Sequence, residues 1–460
     1  MLMKYLSFAL PIFILILIFG GCSKTEEPVM SEAHISGKIT VDPEFDDTED
    51  YSGIELLAAL QDTQGNPVDT IYHAITDLEG NFEGTARFET RQIYPVFISR
   101  YGNSLGVVNM IFADGDSVYM ESQLPHAERT TSISSFENDA YQTFERLQRN
   151  FNRVVLFINA GELEPDSVEE ELQKWSDLYW ELYKEKSGTL ASRNAASSSL
   201  TLLYGWNNEL MEQRLNELID HDPELPASVR RLAVRYHTSQ SGIEGAEQFF
   251  DKLSDLVESP NYRMSITMDR IELYFDSVRI NRAEELLTQF KLDYSDNEQA
   301  IDWANNIEYD LKVLSPGQTF PPFEFETTEG SLVSSDDLNN TPFMMEFTRF
   351  DDPLYREQFE RSTAIYQIYN MFGLRFITVP LSTNRVALEA FFEEHPKLWD
   401  VIEPESFDQD EILETYNVNR IPTRFLVNEK GEIIQRYIGT QYDDIVRGLQ
   451  QILTEQETEE

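Results

Sequence analysis

The sequence contains a single cysteine, Cys22, among its 460 residues. One copy of the chain therefore has no second thiol with which to form a dithiol. Histidine is also scarce: the six histidines are scattered, and no pair has the spacing of metal ligands. The sequence accordingly predicts no cofactor and no metal site.

Basic residues are few, with 36 lysines and arginines against 82 acidic residues and a formal net charge of −46. A general nucleic-acid surface is excluded, because binding phosphates requires lysine and arginine to replace the counterions. The carboxylates are spread along the whole chain, which indicates a solvated acidic surface. The apolar fraction of 41% favours globular packing over disorder.

The one long apolar run lies at the N-terminus, where Lys4 precedes LSFALPIFILILIF and Gly20-Gly21 precede Cys22. A basic start and an apolar stretch of this length are typical of a signal peptide. The segment resembles a bacterial lipoprotein signal, although Phe19 departs from the usual aliphatic residue. The resemblance implies cleavage before Cys22, lipidation of Cys22 and a location in the cell envelope, facing the periplasm or on the outer-membrane surface. The alternative is an uncleaved anchor helix, for which the run is short.

Composition and the spacing of apolar residues divide the rest of the chain into regions. Strand-like segments separated by Gly and Asn turns predict an antiparallel β-sandwich. In the region after it, apolar residues recur with a period near 3.6, which predicts helices. The predicted parts are a signal peptide (1–21), a tether (22–31), the β-sandwich (32–127), the helical domain (128–312), a C-terminal module (313–455) and an acidic tail (456–460).

The helical region carries apolar residues on one face of its predicted helices. INRAEELLTQFKLDY is the clearest case, and it fits either a plain helical bundle, which the pattern favours, or a hairpin of the tetratricopeptide kind. An aromatic stripe at helical spacing is read as core rather than as a ligand platform. Its members are Trp175, Leu178, Tyr179, Leu182 and Tyr183.

The C-terminal module alternates strand-like and helix-like segments. PFMMEFTRF, QFERSTAIYQIYNMF, RFITVPLS, VALEAFFEE, a hairpin around NEKGE and YDDIVRGLQQIL follow one another. This order predicts a central sheet with helices on its faces, and the compact NEKGE turn predicts that its last two strands are antiparallel.

Residues 313–455 resemble the thioredoxin fold, and within it the membrane-tethered thiol-disulfide reductases of the TlpA and ResA type. The resemblance rests on PGQTFPPFEF, the strand ending at Phe350, Pro353 at a helix start and NRIPTRFLVNEKGEI. It implies that Pro422 is the cis-proline of the family and faces the active site. It also implies a binding cleft around Phe350, Asp351, Asp352, Pro353, Ile421 and Pro422.

The cysteines of this family are missing from the module. Placing Pro353 on the proline of the family's Cys-x-Pro-Cys puts Asp351 and Leu354 at the two cysteine positions. The related peroxiredoxins of the AhpC/TSA type keep their cysteine three residues after a threonine, and the residue three after Thr348 is again Asp351. Neither thiol mechanism has its nucleophile, because a carboxylate forms no disulfide.

Carboxylates gather at this helix start. Asp351, Asp352, Glu346 and Glu357 would include an acid and base pair only if their surroundings separated their pKa values. The favoured reading is that Asp351 or Asp352 caps the helix that Pro353 opens.

Two functions follow from these observations. The first is a membrane-anchored envelope lipoprotein whose thioredoxin-like module is redox-inactive and binds or scaffolds envelope proteins or peptides, with no nucleic acid among its partners. The alternative is an oxidoreductase-family protein that acts through the cysteines of a partner. The sequence names no particular ligand and no oligomeric state.

The charge of −46 predicts that salt stabilises the folded chain. Self-repulsion in the compact state weakens as the screening length falls to about 8 Å near physiological ionic strength. The melting temperature should therefore rise between low and high salt in differential scanning calorimetry. A melting temperature that does not change with salt would contradict this prediction.

Overall fold

A computed structural model describes residues 30–61, 67–382, 385–404 and 406–459. The predicted signal peptide and Cys22 lie outside these residues. The chain divides into two compact units, with the boundary between Tyr236 and His237. No helix of the described residues is both long enough and apolar enough to cross a membrane.

Two four-stranded sheets form the first part of the N-terminal unit. Their orders are β4-β1-β7-β8 and β3-β2-β5-β6, and apolar residues from both sheets form one core. The strands are β1 (Ser31–Val41), β2 (Ile54–Gln61), β3 (Pro67–Ile75), β4 (Asn81–Phe88), β5 (Ile93–Arg100), β6 (Asn103–Ile111), β7 (Ser117–Leu124) and β8 (Ser132–Ser134). Alternation in β1 explains the arrangement, because Ala33, Ile35 and Ile39 point inward and are buried.

The prediction of a sandwich is confirmed, but the prediction that it is antiparallel is wrong in one place. Strand β1 pairs with β7 in parallel, with Ile35 opposite Val118. Five strands lie between them in sequence, so the connection is long enough for β7 to return in the direction of β1. Gly37 allows this close pairing, because a Cβ atom there would lie 2.0 Å from the Met120 carbonyl oxygen.

Helices make up the rest of the N-terminal unit. The aromatic stripe read as core is mostly buried, with Trp175, Tyr179, Leu182 and Tyr183 inside. The helices are α1 (Ala127–Thr130), α2 (Phe136–Asn159), α3 (Pro165–Glu185), α4 (Leu190–Leu203), α5 (Asn208–His221) and α6 (Ala227–Leu256). Helix α6 contains the boundary between the units and is broken at Ser241 and Gly242, where Gly242 has a φ of 66°.

The C-terminal unit continues with α7 (Pro260–Asp276), α8 (Ile280–Asp293) and α9 (Glu298–Tyr309). The amphipathic pattern of INRAEELLTQFKLDY is confirmed, because Ala283, Leu287 and Phe290 of α8 are buried against α7 and α9. After α9, the buried Asp310 forms an ion pair of 2.8 Å with Arg436. The Tyr309 hydroxyl donates to the carbonyl of Thr415 at 2.9 Å. These contacts join the end of the helical region to the module that follows it.

The C-terminal module is an α/β thioredoxin-like fold, as predicted. Its five-stranded sheet has the order β13-β12-β11-β14-β15, in which β12 is parallel and β14 antiparallel to β11. The five strands are β11 (Phe343–Thr348), β12 (Arg375–Pro380), β13 (Asp400–Val401), β14 (Thr423–Val427) and β15 (Ile433–Ile438). A separate two-stranded sheet precedes them and consists of β9 (Glu324–Glu326) and β10 (Leu332–Ser334). The helices are α10 (Pro353–Tyr369), α11 (Arg385–Glu394), α12 (Gln409–Thr415) and α13 (Ile445–Glu459).

Strand β11 is buried along its whole length, because it lies at the centre of the sheet with a core on each face. Met345 and Phe347 point to one core, and Met344 points to the other, which contains residues of α10. Side chains alternate along a strand, so Glu346 lies on the same face as Met344. The sheet thus places a carboxylate beneath the first turn of α10.

Candidate functional site

The site begins where β11 ends and α10 starts. Asp352 is the N-cap of α10, and its Oδ1 accepts a hydrogen bond of 2.8 Å from the backbone N–H of Tyr355. Pro353 occupies the first helical position, where its missing N–H removes no helical bond. The prediction of a capped helix is confirmed, and Asp352 is the residue that caps it.

Asp351 has a different environment. Its two carboxylate oxygens accept hydrogen bonds of 3.1 and 2.8 Å from Nε and Nη2 of Arg349. These bonds hold the pKa of Asp351 below its ordinary value. About half of each side chain is exposed, so the pair is a surface ion pair that contributes little to stability. Asp351 is therefore a charged surface group rather than part of the helix cap.

The cap geometry singles out two positions three residues apart. Asp352 accepts from the N–H of Tyr355, so these two residues are linked through the first turn of α10. A thiolate at a helix start is stabilised by the same kind of N–H donor. Asp351 and Leu354, the positions chosen from the sequence, share no such bond, and Leu354 is partly buried. The placement of the family's cysteine positions at Asp351 and Leu354 therefore stays a prediction, and the cap is formed by the residue between them, Asp352.

The proline loop lies beside this helix start. The Ile421–Pro422 peptide bond is cis, as the resemblance implied. Gly439 joins the loop to α10: its N–H donates to the carbonyl of Pro422 at 2.8 Å, and its carbonyl accepts from Gln358 Nε2 at 3.1 Å. A Cβ atom on Gly439 would lie 3.7 Å from Leu354. The structure therefore brings Leu354 and Pro422 together on either side of Gly439.

The predicted cleft residues are not equally accessible. Phe350 is buried and packs against Tyr355, Phe391 and Phe392 with ring centroids 5.1–5.7 Å apart. Pro422 is also buried, whereas Asp352 and Ile421 are partly exposed. Asp351 and Pro353 are exposed. A ligand at this end of the module would meet these exposed groups, and Phe350 would support them from the core.

A buried ion pair lies beneath the helix start. Glu346 Oε2 accepts from Arg424 Nε at 3.0 Å, and both side chains are fully buried. The other oxygen, Oε1, accepts from the Tyr355 hydroxyl at 2.8 Å and from the Thr378 hydroxyl. Trp399 Nε1 donates to Thr378 at 2.8 Å. Glu346 is thus sealed inside the module and is unavailable as an acid or base for a substrate.

Arg424 makes contacts beyond Glu346. Its Nη1 donates to Gln358 Oε1 at 2.8 Å, and its guanidinium lies 3.9 Å from the ring centroid of Tyr442. Burial raises the pKa of Tyr355, and the neighbouring Glu346 raises it further. Burial also raises the pKa of Tyr442 to about 12. Both phenols therefore stay neutral, and Tyr355 remains a hydrogen-bond donor to Glu346.

Sequence reasoning missed most of this network. It considered Glu346 only as a possible catalytic carboxylate, and it did not single out Arg424, Gln358, Thr378 or Tyr355. A signal was present, because a charged residue interrupts each of two otherwise apolar strands, FMMEFT and TRFLV. Two opposite charges in neighbouring buried strands indicate an internal ion pair.

The comparisons place thiol-disulfide oxidoreductases among the relatives of about 30% of the chain. No family model matches the sequence. The thiol-disulfide oxidoreductase ResA of Bacillus subtilis is 23% identical over 146 residues, which cover 32% of this chain and 79% of the relative. ResA of Geobacillus kaustophilus is 28% identical over 141 residues, which cover 30% of this chain and 79% of the relative. These lengths are close to that of the thioredoxin-like module.

A solved structure of a thiol:disulfide interchange protein DsbE from Chlorobium tepidum is also similar. It is 19% identical, with a TM-score of 0.28, and the match covers 30% of this chain and 98% of the other.

The two neighbouring aspartates should differ in their effect on stability. Asp352→Ala removes the acceptor of the Tyr355 N–H and should cost about 1 kcal/mol of unfolding free energy. Asp351→Ala removes only an exposed pair and should have a much smaller effect. Urea unfolding of the two variants measures the difference. Equal effects would contradict the assignment of Asp352 as the cap.

The buried pair should show strong coupling. Arg424→Met or Glu346→Leu alone leaves a buried charge without its partner and should cost roughly 3–5 kcal/mol. The double variant should cost clearly less than the two single changes together, because it removes both charges. A double-mutant cycle by urea unfolding measures this, with the exposed Glu32–Arg87 pair as a control. Additive effects at Glu346 and Arg424 would show that the pair is not coupled.

Proposed function

We propose that the chain is a lipid-anchored protein of the cell envelope whose thioredoxin-like module has no thiol redox activity and binds envelope proteins or peptides. The observation that carries the proposal is the start of α10, where Asp352 caps the helix and Asp351 and Leu354 stand at the positions that the resemblance gives to the two cysteines. Neither side chain can exchange disulfides. In this proposal the lipid anchor is attached to Cys22, the sole cysteine of the chain.

Binding is proposed at the end of the module formed by the start of α10 and the Ile421–Pro422 loop. Asp351 and Pro353 are exposed there, and Leu354 and Ile421 are partly exposed, so the surface offers both charge and apolar area. The loop is fixed through Gly439 and Gln358 to the buried Arg424. A surface held in this way is preorganised, which lowers the entropic cost of binding an extended segment.

The alternative is that the module takes part in thiol exchange through the cysteines of a partner. The names of the ResA relatives favour this reading, since they are thiol-disulfide oxidoreductases. In this case the chain would position a partner's thiols and would supply none of its own.

A disulfide-reductase assay separates the two functions. The full chain should reduce a disulfide substrate no faster than its Cys22→Ser variant, because the module has no thiol. A dithiol protein such as a thioredoxin is then added to the assay. The rate with both proteins present should not exceed the sum of the rates that each gives alone. A rate above this sum would favour the alternative and contradict the proposal.

Photo-crosslinking in cells tests whether the start of α10 is a binding surface. A photoreactive residue at Asp351 should crosslink to envelope polypeptides, whereas the same residue at Glu360, exposed further along α10, is the matched control. Equal crosslinking at the two positions would remove the support for a binding surface at the start of α10.

A further inference from the structure

The second half of α2 carries positive charge and no negative charge. Residues 146–161 contain three arginines and no acidic residue, although a stretch of this length would hold about three at the average frequency of the chain. We call the exposed arginines of this segment, together with its two large exposed apolar side chains, the arginine stripe. Its members are Arg146, Arg149, Arg153, Leu156 and Phe157.

These five side chains lie on one face of the helix. A helix turns by about 100° per residue, so the spacing of the stripe confines it to an arc of roughly 100°. All five are exposed, and Leu156 and Phe157 have relative exposures of 70% and 54%. The other face of α2 packs inward, where Phe144 and Phe151 contact Tyr179 at ring-centroid distances of 5.8 and 6.4 Å.

Few acidic groups oppose the stripe. Glu145 lies 3.4 Å from Arg149, in an exposed pair one helical turn apart. Arg146 and Arg153 have no ion-pair partner within the described residues. Glu162 and Glu164 follow the helix in sequence and are exposed, so they are the nearest acidic residues along the chain at the apolar end. Two arginines therefore keep their charge available beside two large exposed apolar side chains.

We propose that the arginine stripe docks on the surface of a bilayer that contains anionic phospholipid. A body with a net charge of −46 is repelled by such a surface, so contact is favourable only where positive charge gathers. Arginine binds the phosphate groups, and leucine and phenylalanine on the same face enter the boundary between headgroups and acyl chains. An acidic protein would satisfy the arginines but would leave the two apolar side chains without a role.

The docking is independent of the peptide-binding surface proposed for the thioredoxin-like module. It gives the predicted lipid at Cys22 a second contact, because stable membrane attachment commonly combines one lipid signal with a basic patch. Only a few residues separate Cys22 from Met30, where the described structure begins. A tether of that length keeps the N-terminal unit, which contains α2, near the bilayer.

The test uses the full chain, reconstituted in vesicles, with Asn150→Cys on the stripe face carrying an environment-sensitive fluorophore. In vesicles with roughly one-third phosphatidylglycerol the emission should shift to that of a lipid environment. The shift should disappear at high salt and in pure phosphatidylcholine. Arg146→Gln, Arg149→Gln and Arg153→Gln together should lower the docking equilibrium by a factor of roughly 100, and Leu156→Ser with Phe157→Ser should also lower it.

A matched variant carries Arg87→Gln, Arg129→Gln and Arg231→Gln, three exposed arginines outside the stripe, and it should dock as the unchanged chain does. The chain with the native Asn150, treated with the same fluorophore, shows how much label attaches to Cys22. The proposal is overturned if the probe stays in water on the anionic vesicles, or if phosphatidylcholine gives the same shift. It is also overturned if the control variant loses docking equally, or if only soluble polyglutamate shifts the probe.

Discussion

The buried pair between Glu346 and Arg424 is the interaction on which the C-terminal module depends. Both side chains are fully buried, and a buried charge is tolerated only when an opposite charge compensates it. The network therefore fixes three elements at once: β11 through Glu346, β14 through Arg424 and α10 through Tyr355 and Gln358. The geometry of the helix start follows from this internal charge pair.

This dependence explains how the start of α10 is held in place. The start of α10 is held by the cap at Asp352 from outside and by the Tyr355 hydroxyl from inside. The Asp352 carboxylate satisfies the free N–H of the first turn. Tyr355 is buried beneath this cap, where its hydroxyl donates to Glu346. The two contacts hold the first turn of α10 from both sides.

The sequence predicted the order of the elements well, because apolar periodicity records which face of each element is buried. The alternation in β1, the amphipathic α8, Pro353 at a helix start and Pro422 as the cis-proline all appear in the structure. Pairing was harder to predict. The parallel pairing of β1 with β7 depends on the path of the five strands between them, and no local pattern records that path.

Local sequence patterns also do not record which residues of the site come into contact. Asp351 and Asp352 are chemically identical neighbours, and only the backbone at the end of β11 decides which one meets the Tyr355 N–H. The sequence left the cap open between Asp351 and Asp352, because sequence spacing contains no backbone angles. Glu346 and Arg424 were visible as charges in apolar strands, yet they lie 78 residues apart. Their partnership becomes evident only once β11 and β14 are neighbours.

The net charge of a protein does not show where its few basic residues cluster. A chain with 82 acidic residues presents a repulsive surface to anionic lipid in most orientations. In the proposed docking, the three arginines on one helical face, with Leu156 and Phe157 beside them, favour the orientation that brings this face to the lipid. Repulsion elsewhere sharpens this preference, because each alternative orientation brings carboxylates to the same surface. The acidity of the molecule and its small basic stripe thus act together, the first by excluding wrong contacts and the second by permitting one.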